Sequence, residues 1–141
     1  MEKIRMGVIG TGMAWDRLHC PAIQELGDKY EVVALCDIDE GTLQRTAGAL
    51  GLSPDNTYTH HKEMLKRDDL DVVLVAVPIP DNYQVSLDVA KAGKNIICEK
   101  PLAHTMEDAR RFLNMAKEYN VAILIAENYR YNEEINKIRE L

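Results

Sequence analysis

The chain has no cysteine pair spaced to form a staple or a metal knuckle. Cys20, Cys36 and Cys98 are odd in number, lie far apart and include no Cys-x-x-Cys. Neither a disulfide framework nor a zinc site is indicated, and a reducing, cytoplasmic setting is expected. The histidines do not change this. His19 reads as a polar residue at a helix break, His60 and His61 as an exposed helix start, and His104 as part of a loop. None has metal spacing with cysteine or carboxylate partners, so no metal is expected. A long apolar run is also missing. After Lys3 and Arg5 only a handful of apolar residues precede Gly10, too few for a signal-peptide core or a membrane span. The net charge is −6 and the lysines and arginines are scattered, which argues against a nucleic-acid partner. Five prolines and eight glycines among 141 residues, with no repeat or low-complexity stretch, argue against disorder, and 46% apolar residues suffice for one core.

What the chain does have is a glycine turn near its start. Over Met6 to Trp15 an apolar run breaks at Gly10 and Gly12 and gives way to a helical pattern at Met13 and Ala14. Glycine is needed for the sharp turn, and a side chain at Gly12 would hold the backbone away from a diphosphate resting on the helix N-terminus. Gly10, Gly12, Met13 and Ala14 are therefore candidate cofactor contacts. Gly-x-Gly alone is a weak signal, and the third position of the dinucleotide fingerprint, which favours Gly or Ala, holds Trp15.

Strand and helix patterns then alternate. Ile4 to Ile9 and Tyr30 to Cys36 read as buried strands, and Asp71 to Val77, Asn95 to Cys98 and Val121 to Ala126 follow as further apolar runs, with a poorly marked strand near Thr57 to Thr59. Pro21 should kink or restart the first helix near His19 and Cys20, and Gly27 should stop it. Asp39 is expected to cap a helix carrying Leu43, Ala47 and Leu50, ended by Gly51. A short helix over Lys62 to Lys66 turns Met64 and Leu65 inward. Asp81 with Gln84, and Thr105 with Asp108, have capping-box spacing. The first pair predicts a helix with Val85, Val89 and Ala92 on the sheet. The second predicts the stripe Ala109, Phe112, Leu113 and Ala116. Glu133 to Leu141 begins a last helix with Ile135 and Ile138 on one side.

Such alternation predicts an α/β doubly wound parallel sheet, a Rossmann fold of strand order 3-2-1-4-5-6, with ligands beyond the strand C-termini at the switch between strands 1 and 4. Asp37 ends the second strand about where a dinucleotide site places the carboxylate that accepts from the adenosine ribose. Asp39 can do the local capping, which leaves Asp37 for that role and points to NAD over NADP. Lys100 follows a buried strand between Glu99 and Pro101, where spacing alone fits a surface lysine as well as a functional one.

Three segments carry a resemblance. Ala76-Val77-Pro78, Glu99-Lys100-Pro101-Leu102-Ala103 and Asn128-Tyr129-Arg130-Tyr131 are similar to the nucleotide-binding half of the Gfo/Idh/MocA oxidoreductases. The resemblance implies that Lys100 is the catalytic residue, beside the nicotinamide and holding a substrate hydroxyl. It further implies that Glu99 shapes the same pocket, that Pro78 lines the nicotinamide and ribose side, and that the bond before Pro101 is cis. Two departures stand out. Trp15 must push the first helix aside or cover the groove with its indole, and Asn82 occupies a place where the family commonly has histidine, altering a contact near the nicotinamide. Arg130 is left open between a substrate contact and an anchor.

The resulting expectation is the NAD-binding domain, over residues 1–128, of an oxidoreductase passing hydride between NAD(P) and a small-molecule substrate, a sugar, cyclitol or related polyol or carbonyl compound. Residues 129–141 would start a crossover toward a second α/β domain. That domain is missing from this sequence, so the chain by itself is expected to be inactive, with any homo-oligomer expected only of the full-length protein. A non-catalytic dinucleotide-sensing module is the alternative. A methyltransferase using S-adenosylmethionine would share the turn and the acidic residue but not account for Glu-Lys-Pro.

Overall fold

Runs of valine, isoleucine and leucine build strands that are apolar on both faces, and here they do so at the centre of the sheet. The computed structural model describes residues 2–140. Six strands, β1 (Ile4–Ile9), β2 (Tyr30–Cys36), β3 (Thr57–Tyr58), β4 (Val72–Val75), β5 (Asn95–Cys98) and β6 (Ile123–Ile125), pair in parallel in the order β3-β2-β1-β4-β5-β6. The strand period of two sorts their side chains onto two faces. Met6, Val8, Leu35, Val72 and Leu74 pack with Trp15 and with Leu43 and Ala47 of α2 (Glu40–Leu50). On the other face, Ile9, Ala34, Cys36, Val73 and Val75 pack under α3 (His61–Met64), α4 (Ile79–Lys91) and α5 (Met106–Tyr119). The sheet is thus wound on both sides, as the sequence predicts.

The first helix restarts at Pro21. A five-residue π turn, Trp15–His19, runs into α1 (Cys20–Glu25), whose first turn accepts Pro21 because no amide partner is needed there. The turn admits an extra residue where the fingerprint would place a small one. Trp15 is buried in the core with Met6, Val8 and Leu35 and does not line the groove, so the expectation that its indole covers the groove is not met. α1 ends at Glu25 with Leu26 as its C-cap, and Gly27 follows without a left-handed backbone. Asp39 caps α2 through the Thr42 N–H at 2.7 Å, and Gly51 closes it at φ 66°.

Four expectations are corrected. The helix after β4 starts at Ile79, with Pro78 as its N-cap and Pro80 inside its first turn, so Asp81 is not its cap and Gln84 bonds Asp88 instead. On that helix Ser86 and Ala90, not Ala92, complete the buried face. On α5 the buried partner of Phe112 is Met115, while Leu113 is 73% exposed, because the helix buries only the narrow stripe of Phe112 and Met115 in the core it shares with α4. β4 and β6 are shorter than their apolar runs. Thr105 caps α5 as expected, accepting from the Asp108 N–H at 3.1 Å. In α6 (Glu133–Arg139) Ile135 and Ile138 are exposed, and Leu141 lies outside the described residues.

Candidate functional site

One residue past each strand, the backbone is still tied to its neighbour. The N–H groups of Asp37, Gly10, Ala76, Glu99 and Ala126 donate in turn to Tyr58, Cys36, Ile9, Val75 and Cys98. This seam crosses the whole C-terminal edge of the sheet. From Asp37 to Glu99 it spans three inter-strand steps, roughly 14 Å at the usual spacing.

Above the seam lies an open groove of about 850 Å³ between β1, β2, β4 and the start of α4. Gly10, Gly12, Met13, Asp37 and Pro78 line it, together with Ile38, Thr59, His61 and Gln84. The two glycines serve different needs. Gly10 has φ 91°, and a Cβ there would run into the Ala76 carbonyl. Gly12 has an ordinary φ, and a Cβ would meet nothing within 4 Å. Protein packing demands the first glycine; open space in the groove lies beside the second. The first N–H groups of the helix that follows have no intrahelical acceptor and leave positive potential at the same place.

Asp37 is held on the groove wall. Its Oδ2 accepts from the Thr11 N–H at 2.7 Å and the Thr11 hydroxyl at 3.0 Å, and its Oδ1 accepts from the Asp39 N–H at 3.0 Å. Ile38, beside it, is 92% exposed. Burial, with the Asp37 charge adjacent, pushes the Cys36 thiol up to about 12.

Ala14 stands behind Met13, and Glu99 and Lys100 follow β5 on the far side of β4; none of the three lines the groove itself. Lys100 is exposed, and the Lys100–Pro101 bond is cis. The loop carrying Lys100 is pinned from three directions. Glu99, 9% exposed, accepts from the Lys100 N–H at 2.9 Å and lies 2.7 Å from His19 Nε2, across 80 positions of sequence. Buried Asn82 donates to the carbonyls of Glu99 and Pro101 at 2.9 and 3.0 Å, and its oxygen accepts from the Cys98 thiol. Asn82 thus grips the loop backbone. Arg130 lies in a short 3-10 turn, Asn128–Tyr131, and is exposed.

Three residues escaped the sequence reading. The sequence gives no signal for Thr11, and it marks His19 only as a break residue and His61 only as an exposed helix start. His61 lies half-buried on the groove, 3.0 Å from Asp88 of α4. Burial works to raise the Asp88 carboxyl, but the hydrogen bond from His61 and the charge of Lys62 outweigh it and hold it below the usual carboxylate range. The only signal in the sequence was a polar residue on an otherwise apolar helix face. Among the described residues, no group of three or more His, Cys, Asp or Glu side chains is placed to hold a metal, and no helix is long and apolar enough to cross a membrane.

Comparison with known proteins gives the same outline. The profile of an oxidoreductase family with an NAD-binding Rossmann fold matches residues 4–127. D-apiose dehydrogenase of Paraburkholderia graminis is 30% identical over 98% of the chain and 36% of its own length. D-xylose 1-dehydrogenase (NADP(+)) of Hypocrea jecorina is 32% identical over 98% of the chain and 37% of its own length. Among solved structures, the WlbA dehydrogenase of Bordetella pertussis, in complex with NADH and UDP-GlcNAcA, superposes with a TM-score of 0.90 at 28% identity, over 99% of this chain and 41% of that one. The chain spans about two fifths of the length of the curated relatives it matches.

Proposed function

The chain belongs to the Gfo/Idh/MocA oxidoreductase family, as its NAD-binding Rossmann domain, and from that premise we propose that it holds NAD for an enzyme acting on a CH–OH group of a sugar, cyclitol or related polyol. The observation that carries this is the space beside Gly12. It is a glycine that the protein's own packing does not require, on an open groove of about 850 Å³, at a helix start suited to phosphate. When bound, the nicotinamide supplies the hydride acceptor or donor.

In this reading Gly10, Gly12, Met13 and Ala14 hold the diphosphate. Asp37 accepts from the adenosine ribose and repels a 2′-phosphate, which favours NAD over NADP. Pro78 lines the nicotinamide and ribose side, and Glu99 shapes the nicotinamide end. Lys100 holds the substrate hydroxyl and stabilises charge on its oxygen; the grip of His19, Glu99 and Asn82 keeps the lysine's backbone in place. Residues 1–128 make up the nucleotide domain, and 129–141 lead toward a substrate-binding domain, for which the greater length of the relatives leaves room. The sugar dehydrogenases among those relatives support the substrate class.

Calorimetry with NAD, NADP and S-adenosylmethionine tests the ligand. Tighter binding of NAD, with the preference narrowed by Asp37→Ser, is expected. Equal affinity for NAD and NADP would remove the role of Asp37, and binding of S-adenosylmethionine alone would overturn the dinucleotide reading. Turnover of a polyol panel by the full-length protein, lost in Lys100→Ala, separates an enzyme from a dinucleotide-sensing module.

A further inference from the structure

Thr11 is the middle residue of the glycine turn, and it is completely buried. A phosphate-holding turn has no need of a hydroxyl at that position. What the hydroxyl touches is Asp37. Its Oγ1 and its own backbone N–H both donate to Oδ2, at 3.0 and 2.7 Å, while the Asp39 N–H donates to Oδ1 at 3.0 Å. A carboxylate offers about four acceptor positions over its two oxygens. Thr11 fills those on Oδ2, Asp39 takes one on Oδ1, and a single position on Oδ1 is left for a ligand in the groove.

We infer that Thr11 is a specificity-determining positioning residue: by clamping Oδ2 it presents Oδ1 of Asp37 as the one acceptor left for the adenosine ribose. The inference rests on the ribose reading of Asp37. The clamp works in two ways. It fixes the carboxylate before a ligand arrives, so that none of the binding free energy goes into ordering it. It also stops the carboxylate from turning away from a 2′-phosphate, so the like-charge repulsion is kept in full. Removing the hydroxyl leaves Oδ2 held by the Thr11 N–H alone, which loosens the carboxylate, weakens NADH binding and relieves part of the penalty on NADPH. The effect appears in the ratio of the two affinities.

The experiment is a titration of the chain with NADH and NADPH, followed by nicotinamide fluorescence, for the unmodified protein, Thr11→Val, Thr11→Ser, Asp37→Asn and the double variant Thr11→Val/Asp37→Asn. Thr11→Val is expected to shrink the NADH to NADPH affinity ratio about fivefold, the worth of one net hydrogen bond. Thr11→Ser should restore it, and Thr11→Val should have no further effect in the Asp37→Asn background. Should Thr11→Val not fold, Thr11→Ala with Thr11→Ser carries the same comparison. An unchanged ratio in a folded Thr11→Val, or equal effects with and without Asp37, overturns the clamp while leaving the cofactor site intact. Failure of the unmodified chain to bind either dinucleotide overturns the reading on which the clamp rests.

Discussion

Gly10 and Gly12 are the same residue type two positions apart, yet they answer to different forces. Gly10→Ala forces a side chain into a left-handed backbone and against the Ala76 carbonyl, so a loss of about 2 kcal/mol or more in unfolding free energy is expected. Gly12→Ala meets open space. Denaturant melts should show stability unchanged or slightly raised, while dinucleotide affinity falls; a strongly destabilised Gly12→Ala would mean that the glycine serves the fold and not a ligand. The thiols divide on similar grounds. Cys36 and Cys98 are buried and their thiols are pushed up by that burial, whereas Cys20 is only half-buried. Mass spectrometry after brief alkylation at neutral pH should find Cys20 modified first. At this scale the glycines, Asp37 and the cis bond before Pro101 were legible, because a turn or a shared motif marks each. The partners of Asp37 and Glu99 were not: Thr11 and His19 reach them across 26 and 80 positions, contacts that only the folded sheet creates.

Among the elements, α4 and the π turn show where local rules gave way. Asp81 and Gln84 have capping spacing, but Pro78 already fits a helix N-cap with φ −54° and ψ 145°, and the helix begins three residues earlier than the pattern predicts. Leu113 fits a helical stripe by spacing and is exposed all the same, since α5 buries only Phe112 and Met115, a narrower stripe than periodicity assumes. The π turn lodges Trp15 in the core, so Trp15→Ala should cost about 3 to 5 kcal/mol, read by chemical denaturation; a cost near zero would contradict its core role. Asp88 joins α4 to α3 through His61 and Lys62. Because its folded value is depressed, its contribution is complete above the unfolded carboxylate value, about 4, and is lost as the pH falls through the folded value. Asp88→Asn should therefore lower the thermal midpoint at neutral pH, and the gap from the unmodified chain should narrow as the pH falls below the unfolded carboxylate value. A gap that stays constant with pH would remove the ion-pair account.

For the whole molecule, continuous apolar runs alternating with amphipathic helices point to a parallel sheet covered on both faces, and the observed order β3-β2-β1-β4-β5-β6 is the doubly wound one. Strand lengths were less legible, because an apolar run continues past its last ladder bond, as at β4 and β6. The seam of hydrogen bonds at the strand C-termini belongs only to the folded sheet, and it fixes the distance between Asp37 and the Lys100 loop. The groove above it is open, and orienting a reacting carbon beside a cofactor can supply roughly 7 to 11 kcal/mol of a barrier. The 141-residue chain alone is therefore expected to bind dinucleotide without oxidising polyols. Ile135 and Ile138 of α6 remain exposed, and weak self-association, seen as concentration-dependent sedimentation, is expected from them. The most direct test of the central claim is a calorimetric titration of this chain with NADH, beside Gly12→Val. One saturable site per chain, abolished in a Gly12→Val variant that still folds, is the predicted result; no binding, or binding that Gly12→Val leaves unchanged, would contradict it.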